Sequence, residues 1–424
     1  MSISDRPAPA RESPERVAGH RRNILLFLVA IACLGAAGSV QDSTFNNYLN
    51  DNFQMTAADR GFLEFPRESP GLLITLVVGG LFFLGETHLV VLAAGLTALG
   101  LAGLGLWSAS YGHMLFWLIL WSTGLHLTLP VQDSIALALS RGERRGEMLG
   151  TVGAAAALAS VIGCVVVWLN FAVLKRGYGT TYVFAAVAAL VASFTLSRMH
   201  AQEINSRRRP KLLLRRRYWL YYLLAILFGA RKQVFITFGV WVLIRVYGQP
   251  AKNIAILWII TTTASVLFRP LVGRLIDRLG ERLMLMASGV TLFFVCLAYG
   301  YAEFLGSPTV ALVIICTAYV LDQMLFTVET ARTTYLSKIA EKKSDVGATL
   351  SAGVSINHAV SIPIAMLGGR IWDAFSYHVL FAGAAGLALL ITATCALVRV
   401  PAEGKAPPET RPEELAGEGN VIPD

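Results

Sequence analysis

Four short groups of residues in this chain could bind a charged solute or pass a proton. Arg231, Lys232 and Gln233 are consecutive, Asp322 and Gln323 are adjacent, Asn357 precedes His358, and His126 stands alone. All lie inside long apolar runs, where an ionised group is costly and normally faces a partner or a wet cavity. Two neighbouring bases and one acid suggest complementary tasks. One base would hold an anionic group of a ligand, and the other would pair with an acid such as Asp322. A plainer reading has Lys232 and Asp322 neutralising each other as a latch between helices. Paired acid and base can also exchange a proton with a passing substrate. His358 is the best spare proton carrier, because imidazole titrates nearest neutral pH, and Asp322 is the acid best placed to join it.

A second, more charged cluster comprises Glu64, Arg67 and Glu68. Their i, i+3 and i, i+4 spacing puts them on one helix face, able to pair with one another. Pro66 and Pro70 would loosen that helix. Together with Gln41, Asp42 and Asn46, these residues read as an outer vestibule, or else as a self-neutralised turn at the membrane surface.

The elements that must position these groups are membrane helices. Of the 424 residues, 55% are hydrophobic and only 15% charged, and mean hydropathy is +0.59. A soluble chain carries about 25% charged residues; so apolar a chain suits a bilayer. About twelve apolar segments approach the roughly 20 residues a spanning helix needs. They fall near 23–44, 58–84, 88–107, 112–139, 148–172, 179–198, 218–246, 252–276, 283–304, 307–336, 347–371 and 377–399. Arg21-Arg22 followed by an apolar run faintly suggests a signal peptide, but no good cleavage site follows and an uncleaved first helix is expected.

The net charge of +9 does not point to nucleic acid, because the bases sit in short runs between apolar spans. Arg6, Arg11, Arg16, Arg21 and Arg22 precede the first span; Arg141, Arg144 and Arg145 follow the fourth; Arg207, Arg208, Arg209, Lys211 and Arg215–Arg217 follow the sixth. Alternate connections are poor in bases. This places both termini in the cytoplasm, with the protein in a plasma membrane such as the bacterial inner membrane. The five cysteines are isolated, with no metal-ligand spacing, so no metal is expected. No phosphate loop of the Walker type appears, so neither ATP nor another cofactor is expected.

The run Gly273 to Arg282, of pattern Gly-x-Leu-x-Asp-Arg-x-Gly-x-Arg, resembles the loop signature of the major facilitator superfamily of secondary transporters. The chain also repeats. Leu139-Ser140-Arg141 matches Leu336-Ser337-Lys338, Arg145 matches Lys342, Gly150 matches Gly347, and Gly85-Glu86 falls opposite Gly280-Glu281. The first loop copy is degenerate, with Phe82-Phe83 where the second has Asp277-Arg278. The expected domains are a cytoplasmic tail (1–20), a six-helix half (21–198), a basic linker (199–217), a second six-helix half (218–400) and a disordered tail (401–424).

The resemblance implies an all-α integral membrane protein of two six-helix pseudo-repeats around a central cavity, working as a monomer by alternating access. It further implies that spans one, four, seven and ten line the cavity. The solute site would then be built from Arg231, Lys232, Gln233, Asp322, Gln323, His126 and Asn357, with proton coupling at Asp322 and His358. By the same resemblance, gating falls to Gly273, Asp277, Arg278, Gly280 and Arg282, with Asp277 and Arg278 paired to neighbouring helix ends. Arg269, Glu329 and Arg332 would support that loop with cytoplasmic ion pairs. Two bases against one clear acid favour an anionic or zwitterionic solute over a cationic one. The acidic-Gly-aromatic motif of monocarboxylate carriers is absent from span one. A membrane-embedded enzyme using Glu64 and His126, or a transport-inactive sensor, are the alternatives; no nucleophile, base and orienter converge by spacing, so an enzyme is not expected.

Overall fold

The computed structural model describes residues 14–81, 85–140, 145–200 and 214–400. Phe82-Phe83, Arg141, Arg144, Arg207–Lys211 and the tail beyond residue 400 lie outside them. Among the described residues fourteen α-helices follow one another: α1 (Pro14–Phe53), α2 (Ala57–Phe62), α3 (Glu64–Leu81), α4 (Glu86–Leu106), α5 (Tyr111–Leu139), α6 (Arg145–Trp168), α7 (Tyr178–Ser197), α8 (Trp219–Val234), α9 (Val240–Arg245), α10 (Ala251–Tyr301), α11 (Pro308–Val328), α12 (Thr330–Ile339), α13 (Lys343–Ala374) and α14 (Tyr377–Cys395). Ten stretches among the described residues are long and apolar enough to cross a membrane. One of these, Ala251–Phe304, contains a break at Gly280, and the charged α2–α3 stretch is a further helical hairpin arm.

Bilayer solvation dictates this all-helical answer, because every backbone N–H and C=O in hydrocarbon must be satisfied within its own segment. Large apolar side chains point outward, as at Leu267 (74% exposed), Leu158 (67%) and Phe294 (62%). In water they would form an aggregation-prone surface; in a bilayer they face lipid. Local signals set the helix starts. Thr56 and Asp59 form a reciprocal capping box before α2, and Ser110 and Ser307 cap α5 and α11, supplying acceptors to otherwise orphaned amides.

The charged run expected as a compact turn is helical up to residue 279. Only Gly280 departs, at φ 80° and ψ 160°, a backbone shape open to glycine and strained for other residues. Gly85, its counterpart in the first half, has nearly the same shape at φ 70° and ψ 148°. After each break comes a buried glutamate. Glu86 accepts the Ser134 hydroxyl at 2.8 Å, and Glu281 meets Lys338 Nζ at 2.6 Å. The repeat read from Gly85-Glu86 and Gly280-Glu281 therefore has a shared backbone geometry.

Within the first half α4 packs on α5 and α7, and α1 on α6 and α7; within the second, α10 packs on α11 and α14, and α8 on α13. The halves meet chiefly where α6 touches α10 and where α2 and α3 touch α13. At the end predicted to face outward they are stapled by polar contacts. Asn47 Nδ2 donates to the Gln249 carbonyl at 2.9 Å, Arg245 Nη1 to Asn50 Oδ1 at 3.0 Å, and the Ala57 and Ala58 amides to the Asp373 carboxylate at 3.2 and 2.9 Å. The backbones of α2 and α13 touch there through Gly61 and Gly369: a Cβ on Gly369 would sit 2.9 Å from Ala58 Cα and 3.0 Å from the Ala57 carbonyl carbon. Gly369→Val should therefore wedge this end open, and spin labels at positions 50 and 245 should move apart. An unchanged label distance would show that the contact yields elsewhere.

Candidate functional site

Two buried ionic groups stand out, one that joins the halves and one within the second half. The first starts on α2. Arg60 Nη1 meets Glu64 Oε1 at 2.5 Å, and its Nε donates to Asn46 Oδ1 of α1 at 2.7 Å. On α3, Arg67 contacts Glu64 Oε2 at 2.6 Å and Glu68 Oε1 at 2.6 Å. The spacing predicted that these charges share one face. It read Glu64, Arg67 and Glu68 as an outer vestibule; instead Glu64 and Glu68 are 0% and 5% exposed and Arg67 is partly buried, and Arg60, at 2%, is buried with them. Glu64 and Glu68 lie about 10–17 Å along the helix from Ala57, at 1.5 Å per residue.

The supposedly separate midplane histidines belong to the same network. Glu68 Oε2 accepts from His358 Nδ1 of α13 at 2.8 Å and lies 3.9 Å from His126 Nε2 of α5. The two imidazoles approach edge to face, with centroids 5.0 Å apart. His126 Nδ1 lies 2.8 Å from the Ser122 carbonyl. A carbonyl only accepts, so this nitrogen carries the proton and, in the neutral ring, Nε2 turns its lone pair toward Glu68. Ser122 Oγ also donates to the Arg67 carbonyl, tying α5 to α3 behind the carboxylates. Gly71 leaves the space that the His126 ring fills.

Glu68, His126 and His358 each bring one donor atom within 4.8 Å of the others, a grouping that reasoning from cysteine spacing did not anticipate. The Arg67 guanidinium on the same carboxylate opposes a divalent cation by like charge, and 2.8 Å is hydrogen-bond spacing. The group fits a shared proton better than a metal.

The second group joins α8 to α11. Arg231 Nη2 donates to Asp322 Oδ1 at 2.6 Å and to the Asp322 carbonyl at 3.0 Å. Its guanidinium lies 4.2 Å over the Phe326 ring, and Nη1 is 4.0 Å from Glu329 Oε1. Asp322 is fully buried. The expected latch between Lys232 and Asp322 is thus not formed, because Arg231 is the partner. One residue on, and about 100° around the helix, Lys232 points elsewhere. It has no ion-pair partner among the described residues and lies within electrostatic reach of Glu68 and Glu329.

The remaining expected binding residues are dispersed. Gln233 is buried and donates to Thr237 of its own helix at 2.7 Å. Asn357 lies against Gly229, where a Cβ would stand 3.4 Å from its side chain. Gln323 borders a small cavity of about 150 Å³ with Trp258, Thr261, Thr262, Ser265 and Arg269. Asp42, assigned to the outer vestibule, has an exposed carboxylate on α1 within electrostatic reach of Arg67 on α3 and Tyr319 on α11.

The expected gate needs correction. Asp277 and Arg278 are exposed and, among the described residues, pair with no helix end. The acid that ties this corner is Glu281, through Lys338. Glu329 and Arg332 do pair, at 3.6 Å, but they reach Arg231 and the Leu224 carbonyl rather than the 273–282 run. Sequence reasoning missed Arg60. Its i, i+4 spacing to Glu64 was the available signal.

A sequence model of the Major Facilitator Superfamily matches residues 69–343. No curated protein matches. Among solved structures, the fold is similar to the nucleoside transporter NupG (TM-score 0.73, 15% identity, covering 88% of this chain and 98% of that one). It is also similar to a POT family transporter in complex with a thioalcohol-conjugated peptide (0.71, 12%, 88% and 95%), and to a D-xylose-proton symporter (0.68, 14%, 90% and 98%).

Proposed function

From the premise that this chain belongs to the major facilitator superfamily, we propose that it is a proton-coupled secondary transporter of a small organic solute. It would work by rocking its two halves about the buried ionic groups. The observation that carries this reading is the 2.8 Å contact between Glu68 of one half and His358 of the other. A titratable pair that spans the moving interface lets a proton choose between conformations, because protonation changes the contact that must break.

In this conformation the outer end is stapled, which corresponds to the state from which solute exchanges with the cytoplasm. When Glu68 takes up a proton, its hydrogen bond to His358 loses its charge assistance, and parting α3 from α13 becomes easier. Arg231 and Asp322 lie one helix away, so solute bound near Lys232 would sense the same movement. Lysine and arginine placement puts both termini in the cytoplasm, and the bacterial inner membrane is the setting this pattern suits. The family match favours transport over chemical turnover.

Purified protein reconstituted into liposomes should accumulate some solute when an inward proton gradient is imposed, without ATP. Chemical conversion of the test compounds, or movement indifferent to the gradient, would each remove a part of this proposal.

A further inference from the structure

Resting on that transporter reading, we infer that the solute is a small organic acid carrying one negative charge, its carboxylate held by Arg269 in the slot between α6, α10 and α11. Six residues of α10 line this cavity: Trp258, Thr261, Thr262, Ser265, Val266 and Arg269. They recur at i, i+3, i+4, i+7, i+8 and i+11, which is one face of a helix. Two threonines, a serine and an arginine on that face are out of place against lipid, and such a face on a spanning helix turns to protein or a wet cavity. Ala157 of α6 borders the same space from the other half, and Gln323 borders it from α11. Arg269 lies about 27 Å along α10 from Ala251, and Gln323 about 23 Å along α11 from Pro308, at 1.5 Å per residue. Gln323 Nε2 is also 3.4 Å from Asp322 Oδ2, which joins the slot to the Arg231–Asp322 pair.

The lining offers donors, and no acid is among its residues. Arg269 has no hydrogen bond or ion pair among the described residues, so the cytoplasmic pairs expected of it beside the 273–282 run do not form. The side-chain hydroxyls of Thr262 and Ser265 are equally free there, whereas that of Thr261 donates to the Trp258 carbonyl at 3.0 Å. The indole N–H of Trp258 is buried without an acceptor, and an indole nitrogen can only donate.

A guanidinium is always charged, and its fork matches a carboxylate with two parallel hydrogen bonds. A cation in this slot would meet Arg269 and no acid, and a zwitterion would strand its ammonium group. A neutral solute would strip water from the guanidinium without returning an opposite charge. A single carboxylate answers the single base of the lining, and the free hydroxyls can add donors to it. The cavity volume of about 150 Å³ bounds the size, since a space of that order holds a molecule about as large as benzene. Short acids meet that bound, with their carbon chain against Val266 and the ring of Trp258. The acidic end of the solute thus falls to Arg269 rather than to Lys232.

The test uses the purified full-length protein with acetate, propionate, butyrate and glycolate, each beside its methyl ester and the amine of the same carbon skeleton. Ligand binding raises apparent thermal stability by mass action. At least one acid should stabilise the protein, and its ester and amine should bind roughly tenfold or more weakly, the loss expected for a charge-assisted pair. Arg269→Gln should leave the unfolding midpoint of the empty protein unchanged, having no partner to strand, and should erase the preference for acid over ester. Arg269→Lys should keep part of it. Ala157→Leu narrows the slot from the opposite half with the guanidinium intact, and should weaken acid binding on its own even where Arg269→Gln fails to fold. The proposal is overturned if no acid stabilises, if esters bind as well as acids, or if both substitutions bind acid like the parent. Counterflow in liposomes keeps the two readings apart. A neutral or cationic solute that moves equally well in the parent and in Arg269→Gln sinks this inference and leaves transport standing. An acid that binds with the expected substitution pattern but never moves does the opposite.

Discussion

Replacing Arg231 with leucine should lower the stability of the protein by about 3–5 kcal/mol, the usual cost of stranding one member of a buried ion pair. Asp322 is fully buried and its short contact to Arg231 is its only ion pair among the described residues; without the guanidinium its charge has only the Gln323 amide, at 3.4 Å. The loss should appear as a lower midpoint in thermal unfolding of the detergent-solubilised protein. Adding Asp322→Asn should recover most of it, because the stranded charge is then gone and only packing remains disturbed. Arg231→Lys should not be a mild change, since an ammonium cannot reproduce the fork that meets both the carboxylate and the Asp322 carbonyl while lying on Phe326. A single variant that melts like the parent would show that the pair does not hold α8 to α11.

His358→Gln should convert concentrative uptake into equilibration. Among the described residues the imidazole is the only group of the second half bonded to Glu68, so on the proposed mechanism its loss should break the link between proton and conformation. Solute exchange across liposomes should persist, while accumulation against a gradient at imposed proton drive should disappear. Glu68→Gln should behave similarly. His126→Gln should be milder, since that ring is 3.9 Å from Glu68 and is held chiefly by Ser122. Gradient-driven accumulation that survives in both His358→Gln and Glu68→Gln would place the coupling group elsewhere, with Asp322 the next candidate.

The spans were legible because hydropathy alone decides what enters a bilayer: the expected 112–139 and 179–198 segments fall within one residue of α5 and α7. Helix ends beyond the hydrocarbon were not. α1 runs from Pro14 to Phe53, well past the apolar core at both ends. The site was legible as an inventory but not as an arrangement. Contacts such as Glu68 to His358 join residues 290 apart in sequence, and no spacing rule reaches that far. Whether Arg231 or Lys232 faces α11 depends on the rotation of α8, which tertiary packing sets. The 273–282 run marked the right corner of the fold, yet its bonded acid is Glu281, whose role follows from the backbone turn at Gly280 rather than from charge pattern.

The way Glu68 divides its two oxygens bears on how fast such a carrier can cycle. Arg67, from the same half, holds one oxygen, and His358, from the other half, holds the second. When the halves part, the carboxylate keeps its guanidinium and gives up one charge-assisted hydrogen bond, worth about 1.5–3 kcal/mol. That corresponds to roughly one to two powers of ten in the lifetime of the closed state. Had the only partner of Glu68 lain across the interface, separation would have bared an ion in a low-dielectric space, and each turnover would wait on a far rarer event. In the proposed cycle, keeping a spare partner at home would limit the cost of each opening to that one hydrogen bond.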